Sequence, residues 1–337
     1  MKHINLIMDL GKKVLEGGQV TKEEALQLAA LPDCDLPFLL AMADKIRRHF
    51  VGDEVDLCSI VNGRSGLCPE NCAFCAQSAH HKAAINVYPL MSADDFVAAA
   101  KKAEAGGALR FSIVTSGRGA DGDNDFPKII EALSRIKAET KLEICASLGI
   151  LSPENAKALV EVGVSRYHHN VETSSGYYDQ ICTTHTYQER AATIKVAKEA
   201  GLELCVGGII GLGESMADRI DMAFEVKSFD ISSMPINILN PIQGTKLADQ
   251  PALAKREILK TFAIFRFILP ACGIRTAGGR EYNLGDLQAM ALMSGINGML
   301  IGGYLTTSGR QFADDIKMVH DLGLIPLSAR DRAEQAK

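Results

Sequence analysis

Three cysteines, Cys68, Cys72 and Cys75, fall in the run GLCPENCAFCAQS, spaced C-x3-C-x2-C with Phe74 just before the last. Three thiolates on one short loop suit a [4Fe–4S] cube in which three irons are tied to protein and the fourth is open. Structural zinc favours four ligands, commonly from paired C-x-x-C units, and the chain has no second such unit. An iron–sulfur cube therefore explains the spacing better than zinc or three unrelated thiols.

The spacing resembles the signature of the radical-SAM superfamily. In those enzymes S-adenosylmethionine (SAM) chelates the open iron through its amino and carboxylate groups. One electron then cleaves the sulfonium and releases a 5′-deoxyadenosyl radical. The motif names the initiator of the chemistry and leaves the substrate open.

Such a loop needs a scaffold. Eight apolar runs read as strands: VDLCSIV (55–61), LRFSIV (109–114), LEICASL (142–148), VSRYHHNV (164–171), LELCVGGII (202–210), SSMPINIL (232–239), GIRTAG (273–278) and GMLIGG (298–303). Amphipathic helices alternate with them. Thr21 with Glu24 forms a capping-box pattern. Ser92 with Asp95 starts another helix, which Gly106-Gly107 ends, and Ser152 before Pro153 starts a third. The alternation predicts an α/β fold: a complete (β/α)8 TIM-type barrel over residues 51–325. A helical extension (1–50) precedes it and a C-terminal tail (326–337) follows. A doubly wound open sheet is the alternative. In a barrel, functional groups gather at the C-terminal ends of the strands, and the Cys68–Cys75 loop directly follows the first.

Composition narrows the class. The 337 residues are 47% hydrophobic and 23% charged, with net charge −5, enough for a large core. No basic cluster points to nucleic acid. No apolar run reaches membrane-spanning length, and MKHINLIMDLGKK lacks a signal-peptide core, so the expected location is the cytoplasm. Nine cysteines in such a chain point to metal or redox chemistry rather than a disulfide frame.

Further cysteines lie on the strands themselves. Cys58, Cys145 and Cys205 fall on strands one, three and five, and Arg275 on strand seven. Alternate strands of a barrel share interior layers, so three thiols and a guanidinium can converge. Each cysteine alone also reads as a small core residue. A buried arginine needs anionic company, which a second iron–sulfur cluster would provide.

From the first strand to about residue 325 the chain resembles the biotin synthases. The segments that carry the likeness are SGLCPENCAFCAQS, LRFSIV, LEICASLG, RYHHNVETS, TTHTYQER, CVGGIIGLGE, PINIL, GTKLAD, RTAGGRE and YLTTSG. The resemblance implies insertion of sulfur between C6 and C9 of dethiobiotin. It also implies a barrel, a homodimer, a radical-SAM cube, a second cluster that supplies sulfur, and an external electron donor such as flavodoxin or ferredoxin. The usual family pattern holds a [2Fe–2S] cluster with three cysteines and an arginine, and the first of those cysteines falls here at Ser112. Cys145, Cys205 and Arg275 match, and Cys58 stands where the family usually has serine. One ligand is thus lost on strand two and one gained on strand one. A relocated ligand set of Cys58, Cys145 and Cys205 favours an auxiliary [4Fe–4S] cluster carrying an extra sulfide. A [2Fe–2S] cluster is the alternative, and Arg275 is either a ligand or a charge balance nearby. Arg110 aligns inward with Ser112 and flanks this cluster.

The same resemblance assigns ligand contacts. Phe74, Glu172, Gly208, Ile209, Ile210 and Gly211 face SAM, the glycines because they permit close backbone approach. Asn170 and Glu172 share a face by their i, i+2 spacing. Asn170 and Asn237 bind the ureido ring, since an amide both donates and accepts. Thr306 and Thr307 lie near the substrate carboxylate. His80, His81, His168, His169 and His185 read as packing or surface residues, and Cys34, Cys182 and Cys272 as structural thiols. Competing readings are a methylornithine synthase or hydrogenase-cofactor maturase type of barrel, or an iron–sulfur electron carrier without catalysis.

Overall fold

Eight parallel staves close on themselves in this computed structural model, which describes residues 2–329 apart from Asp121 and Asp123. The strands are β1 (Glu54–Arg64), β2 (Arg110–Thr115), β3 (Glu143–Ser147), β4 (Arg166–His168), β5 (Glu203–Cys205), β6 (Gly208–Ile210), β7 (Ser233–Ile238), β8 (Gly273–Thr276), β9 (Gly298–Leu300) and β10 (Ile325–Leu327). Each stave pairs with the next, and β9 returns to β1 through Asp56↔Gly298, Leu57↔Met299 and Cys58↔Leu300. That closure is the TIM-type barrel and excludes the open doubly wound sheet.

Two boundaries differ from the sequence expectation. The fifth run divides into β5 and β6, which together make one stave. Between them Gly207 lies so close to β7 that an added Cβ would sit 1.9 Å from the Pro235 carbonyl, so the chain dips there and the ladder breaks. At the other end, β10 pairs with the start of β1, Glu54↔Ile325 to Asp56↔Leu327, so sheet pairing runs past residue 325. The last eight residues of the expected tail, 330–337, lie outside the described residues.

The helical extension comprises α1 (Lys2–Leu15), α2 (Lys22–Ala29) and α3 (Leu36–Val51). The Thr21–Glu24 capping box forms as read. Ser92 accepts from Asp95 N to start the helix Ala93–Ala105, which ends at Gly106 and the left-handed Gly107. The helix Lys255–Ile268 is buried at every position from Ile258 onward, because α2 and α3 pack across the face a barrel helix normally turns to water. Its buried Arg266 donates to the carbonyls of Gly295, Leu269, Pro270 and Cys272. This guanidinium ties the helix to the loops entering β8 and β9. Among the described residues no single helix is long and apolar enough to cross a membrane.

Candidate active site

The C-terminal mouth of the barrel holds a cavity of about 390 Å³. Cys58, Cys145, Cys205 and Arg275 line it from staves one, three, five and seven. Ser112 also faces in, in register with Cys145. All three thiols are buried, and each feels the other two or the neighbouring guanidinium. Burial pushes Cys58 up to about 11 and Cys145 up to about 12. Burial also opposes ionisation of Cys205, but His168 and then Arg275 outweigh it and bring that thiol down to about 6.

Below the thiols sits one carboxylate among three arginines. Asp56 Oδ2 accepts from Arg110 Nε at 3.0 Å and Arg275 Nη2 at 3.3 Å, with Arg166 Nη1 at 3.8 Å. Burial alone would raise Asp56, yet Arg275, Arg110 and Arg166 together hold it down at about 2. Arg110 is also ion-paired with Glu143, and Arg166 with Glu203. Arg110 therefore lies under the cavity rather than on its wall. Arg166 does line it, and its Nη1, like Asp56 Oδ1, is buried with no hydrogen-bond partner among the described residues. Three thiols beside an under-satisfied guanidinium form a donor set that fits an anionic iron–sulfur cluster.

The Cys68–Cys75 loop closes one side of the cavity through Phe74 and Cys75. It is pinned from both sides. Cys68 N donates to Gln77 O, Ala79 N to Cys68 O, and Ala73 N to Ile181 O. Inside the loop the buried Glu70 carboxylate accepts from Thr184, His185 and Arg118. Burial pushes this carboxyl up, but those three bonds outweigh it and lower it below the ordinary range. Among the described residues, neither cysteine trio brings its donor atoms within 4.8 Å of one another, as a single ion requires; Cys72, Cys182 and His185 do.

Glu172 has φ +70°, a conformation that costs a non-glycine residue roughly 1–3 kcal/mol. The turn is held by Ile209 N donating to Glu172 O at 2.7 Å. Gly208 makes this approach possible, since a Cβ there would lie 2.4 Å from that same carbonyl. Ile209 lines the cavity, whereas Ile210 points into the core and Gly211, at φ +92°, rests on Leu253 and Leu239. The Glu172 carboxylate lies 3.4 Å from Arg190 and accepts from Asn170 Nδ2 at 3.3 Å.

Asn170 and Asn237 face the same cavity. Asn170 Oδ1 accepts from Gly207 N at 3.1 Å, and Asn237 Oδ1 accepts from Gly278 N at 2.9 Å. Each amide keeps one lone pair and one N–H for a ligand. Thr306 and Thr307 stand exposed at the mouth.

Three residues escaped the sequence reading. Arg166 and His168 are wall residues, and the i, i+2 alternation that joins Asn170 to Glu172 extends back to both. His185, expected to pack or face water, is buried beside Cys182 under Cys72. No local pattern marks that contact. His80 is exposed, His81 meets the Cys75 carbonyl, and His169 is buried.

Residues 64–226 match the Radical SAM superfamily, and residues 235–325 match the Biotin and Thiamin Synthesis associated domain. The chain is 54% identical to a biotin synthase of Carboxydothermus hydrogenoformans over 95% of its own length and 99% of that protein's. It is 51% identical to one of Pelotomaculum thermopropionicum, over 94% and 98%. Among solved structures, a methylornithine synthase superposes with a TM-score of 0.84 at 20% identity, covering 96% of this chain and 99% of that one. An FeFe-hydrogenase maturase from Carboxydothermus hydrogenoformans gives 0.80 at 18% identity, covering 95% and 79%. At those identities the two structures share the fold.

Proposed function

The chain belongs to the biotin synthase family and is a radical-SAM sulfurtransferase of biotin synthesis; from the contents of its cavity we propose how its own residues serve that reaction. Cys68, Cys72 and Cys75 hold the radical-SAM cube. Cys58, Cys145 and Cys205 hold an auxiliary cluster, a [4Fe–4S] cube in preference to [2Fe–2S], with Arg275 balancing its charge. When bound, the first cluster supplies the electron that cleaves SAM and the second supplies sulfur. Ser112 contributes no thiolate, and Arg110 anchors Asp56 beneath.

The observation that carries this reading is that the three strand cysteines share one cavity with Asn170 and Asn237. Dethiobiotin is held with its urea on those two amides, because their spare N–H groups and lone pairs match a urea's carbonyl and N–H groups. Thr306 and Thr307 receive the carboxylate at the mouth. Glu172 and Phe74 take the ribose and adenine sides of SAM, backed by the glycine run at Gly208 and Gly211 with Ile209 and Ile210. An external donor of the flavodoxin or ferredoxin type, a homodimer and a cytoplasmic location complete the proposal. Nine free cysteines suit that compartment.

Anaerobically purified protein with dethiobiotin, SAM and a reductant tests it. The expected product is biotin, and Mössbauer spectroscopy should find two cluster environments. SAM cleavage with no sulfur transfer, in protein holding a single cube, overturns the auxiliary-cluster assignment.

A further inference from the structure

Under the cluster loop lies a set of side chains without a task so far. Cys182 Sγ is 3.7 Å from Cys72 Sγ, and both are buried. The two backbones are clamped: Ala73 N donates to Ile181 O at 2.8 Å, and the Asn71 side chain exchanges hydrogen bonds with Thr183. His185 stands beside Cys182, with Nδ1 3.2 Å from its sulfur.

The ring's orientation decides where the Cys182 proton can go. Arg190 Nε can only donate, and its one N–H lies between Tyr178 Oη at 2.8 Å and His185 Nε2 at 3.1 Å; with the acceptor-only Glu70 carboxylate against Nδ1, the lone pair is on Nε2 and the ring N–H on Nδ1. That N–H faces the Glu70 carboxylate. The nearer ring nitrogen thus offers Cys182 no lone pair, and that of Nε2, 3.8 Å from the sulfur, is turned to Arg190. The remaining acceptors are Asn71 Oδ1 at 3.4 Å, Thr184 Oγ1 at 3.6 Å and Cys72 Sγ at 3.7 Å. The first already accepts Thr183 N–H at 3.0 Å and keeps one lone pair, and the second accepts Asn71 N–H at 3.1 Å, so two neutral oxygens compete with Cys72 for the proton. Iron-bound Cys72 is an anionic sulfur, and bonds to an ionised acceptor are about twice as strong as neutral ones.

We propose that Cys182 is a positioning residue whose thiol donates a hydrogen bond to the Cys72 sulfur and raises the reduction potential of the radical-SAM cube, a role that rests on Cys72 being a ligand of that cube. Reduction adds negative charge that the thiolate sulfurs share, so a donor aimed at one of them stabilises the reduced form more than the oxidised one.

The test uses the reconstituted holoenzyme and an EPR-monitored redox titration. SAM addition identifies the relevant cube by perturbing its signal. Cys182→Ala and the space-filling Cys182→Val should keep their iron and sulfide. Their reduced-to-oxidised ratio at the wild-type midpoint should fall about tenfold, about 59 mV for a one-electron couple. Cys182→Ser, which restores an O–H donor, should recover most of the loss. A wild-type midpoint in both the alanine and valine variants overturns the proposal. If neither variant assembles its cube, the wild type decides: transfer to D2O must remove a proton coupling from the reduced signal, and an unchanged spectrum overturns the proposal. Cys72→Ala separates the underlying reading. Loss of the cube there, with the cube kept in the Cys182 variants, leaves Cys182 a donor, whereas a Cys72→Ala protein with full cube content makes Cys182 a ligand and refutes both.

Discussion

Arg275 donates from Nη2 to Asp56 Oδ2 across 3.3 Å and from Nε to Ser233 Oγ across 3.0 Å. Two of its three nitrogens are thereby committed to protein groups, which supports a charge-balancing role over direct iron ligation. The same carboxylate oxygen serves Arg110. Replacing Asp56 with asparagine leaves buried guanidiniums without their shared anion, and breaking a buried pair in this way costs roughly 3–5 kcal/mol. Urea unfolding of Asp56→Asn should show a loss of that order. A change below about 1 kcal/mol would mean that Glu143, Glu203 and Ser233 satisfy the arginines unaided.

The same carboxylate carries a pH signature. Its native value, about 2, lies below the ordinary 3.8. A depressed carboxylate contributes stability that is fully present above its unfolded value and is lost as pH falls through its folded value. The gap in unfolding free energy between wild type and Asp56→Asn should be flat above about pH 4. Below that it should close by about 1.4 kcal/mol per pH unit toward pH 2. A gap equally wide at pH 5 and pH 3 would show that Asp56 is not the group titrating.

How much of this was legible follows from the range over which each signal acts. Buried parallel strands are continuous apolar runs, so all eight staves were visible, and so was the convergence of Cys58, Cys145, Cys205 and Arg275. The break at Gly207 was not, because it depends on the Pro235 carbonyl, which lies far along the chain. Asp56 gave no signal either: one acidic residue in an apolar run looks like a strand edge until three arginines from other staves close over it. The Cys182–Cys72 contact joins segments 110 residues apart and has no periodicity to announce it.

The two asparagines proposed to bind the urea should separate on mutation. Asn237 accepts from Gly278 N and donates weakly to Gly208 O at 3.4 Å. Asn170 also orients Glu172. Losing a buried hydrogen-bond partner costs roughly 1–3 kcal/mol. Asn237→Ala should weaken dethiobiotin binding by that amount with SAM binding kept, and Asn170→Ala should weaken both. Calorimetric titration of each ligand decides; equal losses of both ligands in Asn237→Ala, with the fold intact, would remove it from the urea site.

Alanine at Cys68, Cys72 or Cys75 removes one of the three protein anchors proposed for the first cube. Each variant should lose 5′-deoxyadenosine formation while keeping the barrel's circular dichroism. Wild-type turnover in any one of them would strike that cysteine from the ligand set.

Cys58 is the most exacting case. It sits in register with Arg110 and Leu300, and its thiol feels Arg275, Asp56 and Cys205. Ser112, in register with Ile60 and Cys145, faces the same cavity one stave away. Thiolate is a far better iron ligand than a neutral hydroxyl, so the cluster should follow the thiol and not the strand. Cys58→Ser should lose the auxiliary iron and stop making biotin, yet still cleave SAM through the Cys68–Cys72–Cys75 cube. The double variant Cys58→Ser with Ser112→Cys moves the thiol to the second stave and should hold a cluster again. Iron and sulfide analysis with Mössbauer spectra of the three proteins reads both outcomes. A Cys58→Ser protein with full iron and undiminished biotin formation would make Cys58 a buried thiol packed against Ala277 and Leu300 and nothing more.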